Sequence, residues 1–344
     1  MPEQPKKKPT LLLMFDLNWS VHDAPHPFTG PSTPQDWAFI DPREYLDWHL
    51  EMGNNAIFLQ AYTYGGYAFY PTRLGPVPPG PGRELLPRLY ELAQEAGLPF
   101  WSYFCVGADV AMSAYRHDWV IPESRRNWWH GFLAPESPWA DLFCARVEEF
   151  LEQFPVDWIL FDWFCYGDLD SGFHMQPAWF VKQPFREIIG REMPEDSSQI
   201  TPEESLTYKR EVLARFFARI RKTVKETSPA TRIAFNPPDW KPADPLWVNH
   251  PMVNESDGLL AEYSKPETLQ WLESVRRPEQ QIIATPINVE GVVEEEVMLE
   301  WAEKGYVLNG YIWGTPPRLQ PHPSLQPKGE AIRRAFHRIA LQYS

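Results

Sequence analysis

Two acids stand out by what surrounds them. Asp162 lies near the end of the run Trp158-Ile159-Leu160-Phe161-Asp162-Trp163-Phe164, and Glu262 near the end of Leu259-Leu260-Ala261-Glu262-Tyr263. Both runs are short, apolar and rich in aromatic or branched residues, which favours buried strands over helices. An ionised carboxylate in such a setting is costly unless it is paired or has chemistry to do. Two carboxyl groups on opposite sides of a glycosidic bond can break it, one as nucleophile or base and the other as proton donor. Asp162 is the expected nucleophile and Glu262 the expected acid/base. Asp16 and Glu290 are the spare acids. The competing reading of each acid is structural: a turn cap for Asp162, or a salt-bridged barrel residue for Glu262.

Other polar residues stand at similar points in apolar stretches: Asp16 and Asn18 beside Trp19, Gln60 two residues before Tyr62, Asn236, Asn288 just before Glu290, and Asn309. Asn and Gln both donate and accept hydrogen bonds, which suits a hydroxyl-rich ligand. Trp19, Trp163 and Trp313 are the expected aromatic walls. The remaining candidates for substrate contact are Asp16, Asn18, Gln60, Tyr62, Asn236, Asn288 and Glu290. The chain holds 16 Trp in 344 residues, more rings than one core needs, and exposed rings in a cleft would suit the apolar faces of sugars.

These residues need elements to hold them. Strands are expected at Leu11 to Trp19, Ala56 to Tyr62, Pro99 to Val106, Trp158 to Phe164, Arg232 to Asn236, Gly258 to Tyr263, Gln281 to Asn288 and Tyr306 to Trp313. Helical signals alternate with them. Asp41-Pro42 with Glu44 opens one helix and Gly53 closes it; Thr201-Pro202 with Glu204 opens another; Ser264 with Glu267 opens a third. The helix after Arg232 to Asn236 is the weakest signal. Eight strands alternating with helices predict an α/β fold, a single-domain (β/α)8 TIM barrel spanning residues 11–344 after an N-terminal tail, residues 1–10. The alternative open doubly wound sheet would want a Gly-rich turn after the first strand, where Asn18-Trp19-Ser20 stands instead. Connections from helix to strand are short and those after the first four strands are long. The end of the barrel where strands finish should therefore carry the elaborated cleft.

Composition narrows the partners. A net charge of −14 argues against nucleic acid and anionic membranes. No stretch is long enough for a membrane-spanning helix, and Leu11 to Phe15 is too short for a signal sequence, so a cytoplasmic enzyme is expected, with export left open. Cys105, Cys144 and Cys165 show neither a disulfide framework nor zinc spacing. The nine histidines include no HExxH and no HxH on the first strand; His22, His26, His117, His130 and His174 fall on expected active-face loops as ordinary loop residues. Asp168-Leu169-Asp170-Ser171-Gly172 lacks the third acid and the distal Glu of a calcium loop. No metal and no cofactor is expected; the partner is a carbohydrate substrate.

The stretch Val156-Asp157-Trp158-Ile159-Leu160-Phe161-Asp162 resembles the fourth-strand motif of retaining barrel glycosidases related to α-L-fucosidases. Phe104-Cys105-Val106-Gly107-Ala108-Asp109, with His117-Asp118-Trp119 beyond it, is similar to bacterial barrels known only as hypothetical glycosyl hydrolases. Acids on the fourth and sixth strands also resemble the α-galactosidase clan. The resemblance implies a (β/α)8 glycoside hydrolase acting with retention, with Asp162 as nucleophile. Fucosidases carry His-Trp after the first strand and His-His-Asp after the second, where this chain has Asn18-Trp19 and Tyr62-Thr63-Tyr64. Two other functions stay open: a carbohydrate-binding barrel without turnover, and a barrel lyase or isomerase acting on sugar acids.

Overall fold

The computed structural model describes residues 8–18, 40–78, 80–122, 131–166, 177–236, 244–288, 291–312 and 326–343. Eight parallel strands form a nearly closed barrel: β1 (Leu11–Phe15), β2 (Ile57–Tyr62), β3 (Phe100–Cys105), β4 (Trp158–Asp162), β5 (Arg232–Asn236), β6 (Gly258–Ala261), β7 (Gln281–Ala284) and β10 (Val307–Ile312). Helices follow them in turn: α1 (Pro42–Glu51), α2 (Leu85–Glu95), the short α3 (Val110–Tyr115) with α4 (Trp139–Gln153), α5 (Lys182–Ile189) with α6 (Pro202–Thr227), α7 (Pro251–Glu255), α8 (Pro266–Val275), α9 (Glu295–Glu303) and α10 (Gln326–Gln342). The weakly signalled helix after β5 is the five-residue α7. No helix among the described residues is long and apolar enough to cross a membrane.

Four strands stop two or more residues earlier than their apolar sequence suggests. β1 ends at Phe15, β4 at Asp162, β6 at Ala261 rather than Tyr263, and β7 at Ala284. The expected seventh strand runs on to Asn288, but Ile287–Asn288 (β8) leaves the barrel and pairs antiparallel with Gly291–Val292 (β9). Pro286 sits at the break and cannot donate to a ladder.

The barrel closes differently on its two sides of β1. Against β10 the ladder is continuous from Leu11↔Leu308 to Phe15↔Ile312. Against β2 the strands are joined largely by side chains. Asn55 gives its backbone N–H to the Leu11 carbonyl (3.0 Å), accepts from the Leu11 N–H (2.8 Å) and donates to the Pro9 carbonyl (2.9 Å). Higher up, Gln60 Oε1 accepts from the Leu17 N–H at 2.7 Å. A side-chain amide carries the same donor and acceptor as a peptide, so it can stand in for missing rungs.

Strand alternation sorts the barrel interior into layers. At the lower end Trp101 and Trp158 stack with centroids 4.5 Å apart, and the Arg232 guanidinium lies 4.1 Å over the Trp158 ring. Gly258 faces them because a Cβ there would come within 2.9 Å of Trp158. Outside the sheet, Phe104, Phe143, Phe150, Phe161, Phe216 and Phe235 form a continuous ring-to-ring layer under α4 and α6. Much of the tryptophan is therefore structural: Trp101, Trp119, Trp139, Trp158, Trp247 and Trp301 are buried.

Helix starts follow the expected chemistry in part. Asp41 caps α1 by accepting from the Arg43 N–H at 2.7 Å. Thr201 and Glu204 form a reciprocal capping box at α6. Ser264 does not cap α8. It takes a left-handed backbone, φ 44°, and its hydroxyl donates to the Ala261 carbonyl and accepts from the Thr285 N–H. It thereby fixes the turn that carries Glu262 off the end of β6. Over the top of β2 and β3, Arg146 and Asp109 make a buried ion pair at 2.8 Å. Arg146 also donates to the Leu74 carbonyl, and Asp109 caps α3, so the loops after β2 and β3 are tied to α4.

Candidate active site

The upper inward layer is polar. In the strand registers Gln60 lies beside Tyr103, Tyr103 beside Leu160, and Asp162 beside Asn236. Residues two apart on a strand share a face, so Tyr103, Asp162 and Asn236 all point inward at the strand ends. Asp16 follows Met14 on the same face of β1, and Met14 is in register with Tyr311 of β10.

Asp162 is the hub. Its Oδ1 accepts from the Trp163 N–H at 2.7 Å and from the Asn236 amide at 2.8 Å; its Oδ2 accepts from the Tyr103 hydroxyl at 2.7 Å. The residue is 6% exposed. Burial pushes its carboxyl up to about 7, with the Asp16 charge adding to the rise, while the three hydrogen bonds favour the anion and work the other way. The short bond to Trp163 requires an unusual backbone: Trp163 has φ 55°, rare for a bulky residue. The strain is held in place by Gly107, whose N–H donates to the Trp163 carbonyl at 3.1 Å and whose missing side chain allows that approach; a Cβ would lie 2.5 Å from the oxygen. The half-buried Trp163 ring rests against Tyr64 and Phe132.

Glu262 faces Asp162 through a shared donor. The Asn236 amide nitrogen, 2.8 Å from Asp162 Oδ1, is also 2.9 Å from Glu262 Oε2. Each oxygen lies one hydrogen bond from the same atom, so the facing carboxylate oxygens are under about 6 Å apart. Flanked by two carboxylates, the Asn236 amide has its nitrogen, not its oxygen, between them.

A second arm supports Asp162 from β1. Asn18 is buried; its amide donates to the Tyr103 hydroxyl at 2.7 Å and its oxygen accepts from the Tyr64 N–H at 2.9 Å. Tyr103 thus receives from Asn18 and gives to Asp162. Asp16 Oδ1 accepts from Asn18 N–H (3.1 Å) and from the Gln60 amide (3.2 Å). Gln60 therefore serves both the seam between β1 and β2 and the orientation of Asp16.

Of the residues singled out from sequence, the structure brings together Asp16, Asn18, Gln60, Asp162, Trp163, Asn236 and Glu262. Tyr62 does not join them. A register irregularity between Gln60 and Tyr62 turns it outward, where its ring stacks on Phe104 and lies 4.2 Å under the Arg146 guanidinium. Asn309 lies mid-strand on β10 and is fully buried, below the mouth rather than at it. Asn288 lies on the β8–β9 hairpin, off the barrel ladder. Trp19, Glu290 and Trp313 lie outside the described residues, as do His22, His26, His130, His174 and the stretch 168–172. Two residues were missed. Tyr103 and Tyr311 were not singled out in sequence, and both are inward-facing phenols of the polar layer. The available signal was parity, since Tyr103 falls at the level just below Asp162 once the strands are aligned.

No protein-family model matches the chain, and no curated protein matches it in sequence. Solved structures match it in fold. α-L-fucosidase isoenzyme 2 from Paenibacillus thiaminolyticus superposes with a TM-score of 0.66 at 15% identity, over 97% of this chain and 49% of that one. An α-L-fucosidase from Lactobacillus casei, in complex with its α-L-fucose product, gives a TM-score of 0.53 at 10% identity over 98% and 97% of the two chains. The α-fucosidase of Thermotoga maritima gives 0.50 at 15% identity, over 97% of this chain and 72% of that one. The chain spans about half the length of the Paenibacillus enzyme and nearly all of the Lactobacillus one. At this identity the likeness is one of architecture: a single (β/α)8 barrel of the kind on which α-L-fucosidases are built.

Proposed function

We propose that this protein is a glycoside hydrolase that cleaves an O-glycosidic bond with retention. The observation that carries the reading is the pair Asp162 and Glu262, on neighbouring-but-one strands, spanned by the Asn236 amide at 2.8 and 2.9 Å. That spacing suits a nucleophile and an acid/base acting on one anomeric carbon. Three donors converge on Asp162 and partly offset the burial that raises its carboxyl, which supports the anion needed for attack. Asp162 attacks the anomeric carbon while Glu262 protonates the leaving oxygen; Glu262 then takes a proton from the water that releases the sugar. Asn236 donates to both carboxyls throughout and keeps their separation. Trp163 supplies an apolar wall. The fold shared with α-L-fucosidases makes 6-deoxy and galacto-configured sugars the first to try.

The test is a panel of 4-nitrophenyl glycosides, α-L-fucoside and α-D-galactoside among them, with wild type and Asp162→Gly, each with and without azide. Cleavage by wild type, loss in the variant and azide-dependent release of a glycosyl azide uphold the reading. An active Asp162→Gly refutes it.

A further inference from the structure

Tyr311 has no place in the scheme above, yet it sits in the same polar layer. It is on β10, in register with Met14 and so one step below Asp16, and it is 3% exposed. Asp162, Glu262 and Asp16 all act on its phenol electrostatically. Its hydroxyl nevertheless makes no hydrogen bond. A buried hydroxyl without a partner is unfavourable and calls for an explanation. Neighbouring groups share the pattern. The Asn236 amide oxygen and both amide atoms of Asn309, two residues before Tyr311 on the same strand face, also lack partners within the protein. The Asn236 oxygen lies on β5 beside the carboxyl pair, and Asn309 lies one inward layer below Tyr311 on β10.

We propose that the Tyr311 hydroxyl contacts the substrate, donating a hydrogen bond to an oxygen of the sugar held between Asp162 and Glu262. The inference rests on the glycosidase reading and assigns the floor of that site. Burial and the three nearby carboxyls hold the phenol well above its ordinary value, so it stays protonated and is a donor. The site is otherwise rich in carboxylate acceptors. A sugar hydroxyl both donates and accepts, so it can give its proton to a carboxylate and receive one from Tyr311. Phenylalanine would fill the same space and leave that acceptor unmatched.

The test sets Tyr311→Phe beside Asp162→Gly with two readouts. One is the unfolding midpoint of the free protein. The other is kcat/KM on whichever glycoside of the panel the wild type cleaves. The expected result for Tyr311→Phe is a midpoint equal to or above that of wild type, because no bond within the fold is lost, with kcat/KM lowered about tenfold or more. A lowered midpoint overturns the inference, since the fold would then be holding the hydroxyl. An unchanged kcat/KM, with Asp162→Gly inactive, overturns it too. If the wild type cleaves nothing on the panel, the glycosidase reading is what has failed, and calorimetric binding of L-fucose and D-galactose decides. An affinity loss of about tenfold in Tyr311→Phe upholds the contact; equal affinity, or no binding by wild type, overturns it.

Discussion

Asp162 and Glu262 are joined through one atom, the amide nitrogen of Asn236. The spacing of the two carboxyls is therefore set by a strand that carries neither of them. β5 lies between β4 and β6 in the sheet, and Asn236 is in register with Asp162. Replacing Asn236 with Ala should lower kcat/KM about a hundredfold, the usual cost of losing one well-placed donor. Because that hydrogen bond lowers the proton affinity of Asp162, its loss should also move the acid limb of the pH–rate profile upward. Both follow from kcat/KM measured between pH 5 and 9; an unmoved limb would mean that the bridge does not bear on Asp162.

Asp162 itself titrates unusually. Its folded-state value of about 7 lies above the ordinary aspartate value of 3.8. The folded state therefore holds this proton more tightly than the unfolded chain. The stability that this gives is complete below the unfolded value and disappears as pH rises through about 7. Asp162→Asn, which cannot ionise, should unfold at a higher temperature than wild type at pH 8, with the gap narrowing by pH 5. Activity should be lost at both. Thermal unfolding at the two pH values checks the sign: a gap that widens on acidification would contradict it.

Tyr103 acts on Asp162 without needing to touch substrate. Tyr103→Phe removes the donor to Oδ2 and leaves the Asn18 amide without its acceptor. The acid limb should again move to higher pH and kcat/KM should drop about tenfold or more. Asn18→Ala leaves the Tyr103 hydroxyl bonded to Asp162 and should shift the limb less. Equal shifts in the two variants would argue that only the packing matters.

Asn55 is the test of the seam. Asn55→Ala removes two side-chain hydrogen bonds, to Leu11 and Pro9, at a place where no strand can replace them. A loss of about 1–3 kcal/mol is expected from urea unfolding, with kcat unaffected at saturating substrate. A loss below a few tenths of a kcal/mol would show that the seam relies on its apolar contacts instead.

The architecture was legible because periodicity and caps are local signals. The eight strand cores and the caps at Asp41 and Thr201 needed only neighbouring residues to be read. Asp162, Asn236 and Glu262 were legible as polar interruptions of apolar runs. What lay beyond sequence was whatever depends on register. One irregularity after Gln60 sends Tyr62 outward, and Pro286 takes Asn288 off the ladder. The phenols of Tyr103 and Tyr311 were hidden for the opposite reason. Most of a tyrosine is hydrocarbon, and only alignment across strands shows that these two face inward in the polar layer.

The lopsided closure around β1 also dictates when the barrel can be completed. β3 to β7 pair in sequence order, each with the strand made just before it. β1 has its ladder with β10, residues 307–312, synthesised almost a whole chain later. During translation Leu11–Phe15, five consecutive fully buried apolar residues in the finished protein, has no ladder partner to dock on. A nascent chain stopped before Val307 should expose that segment to chaperones, while one carrying β10 should conceal it. Asp16 and Asn18 ride on the same segment, so the polar layer of the site is among the last parts of the molecule to assemble.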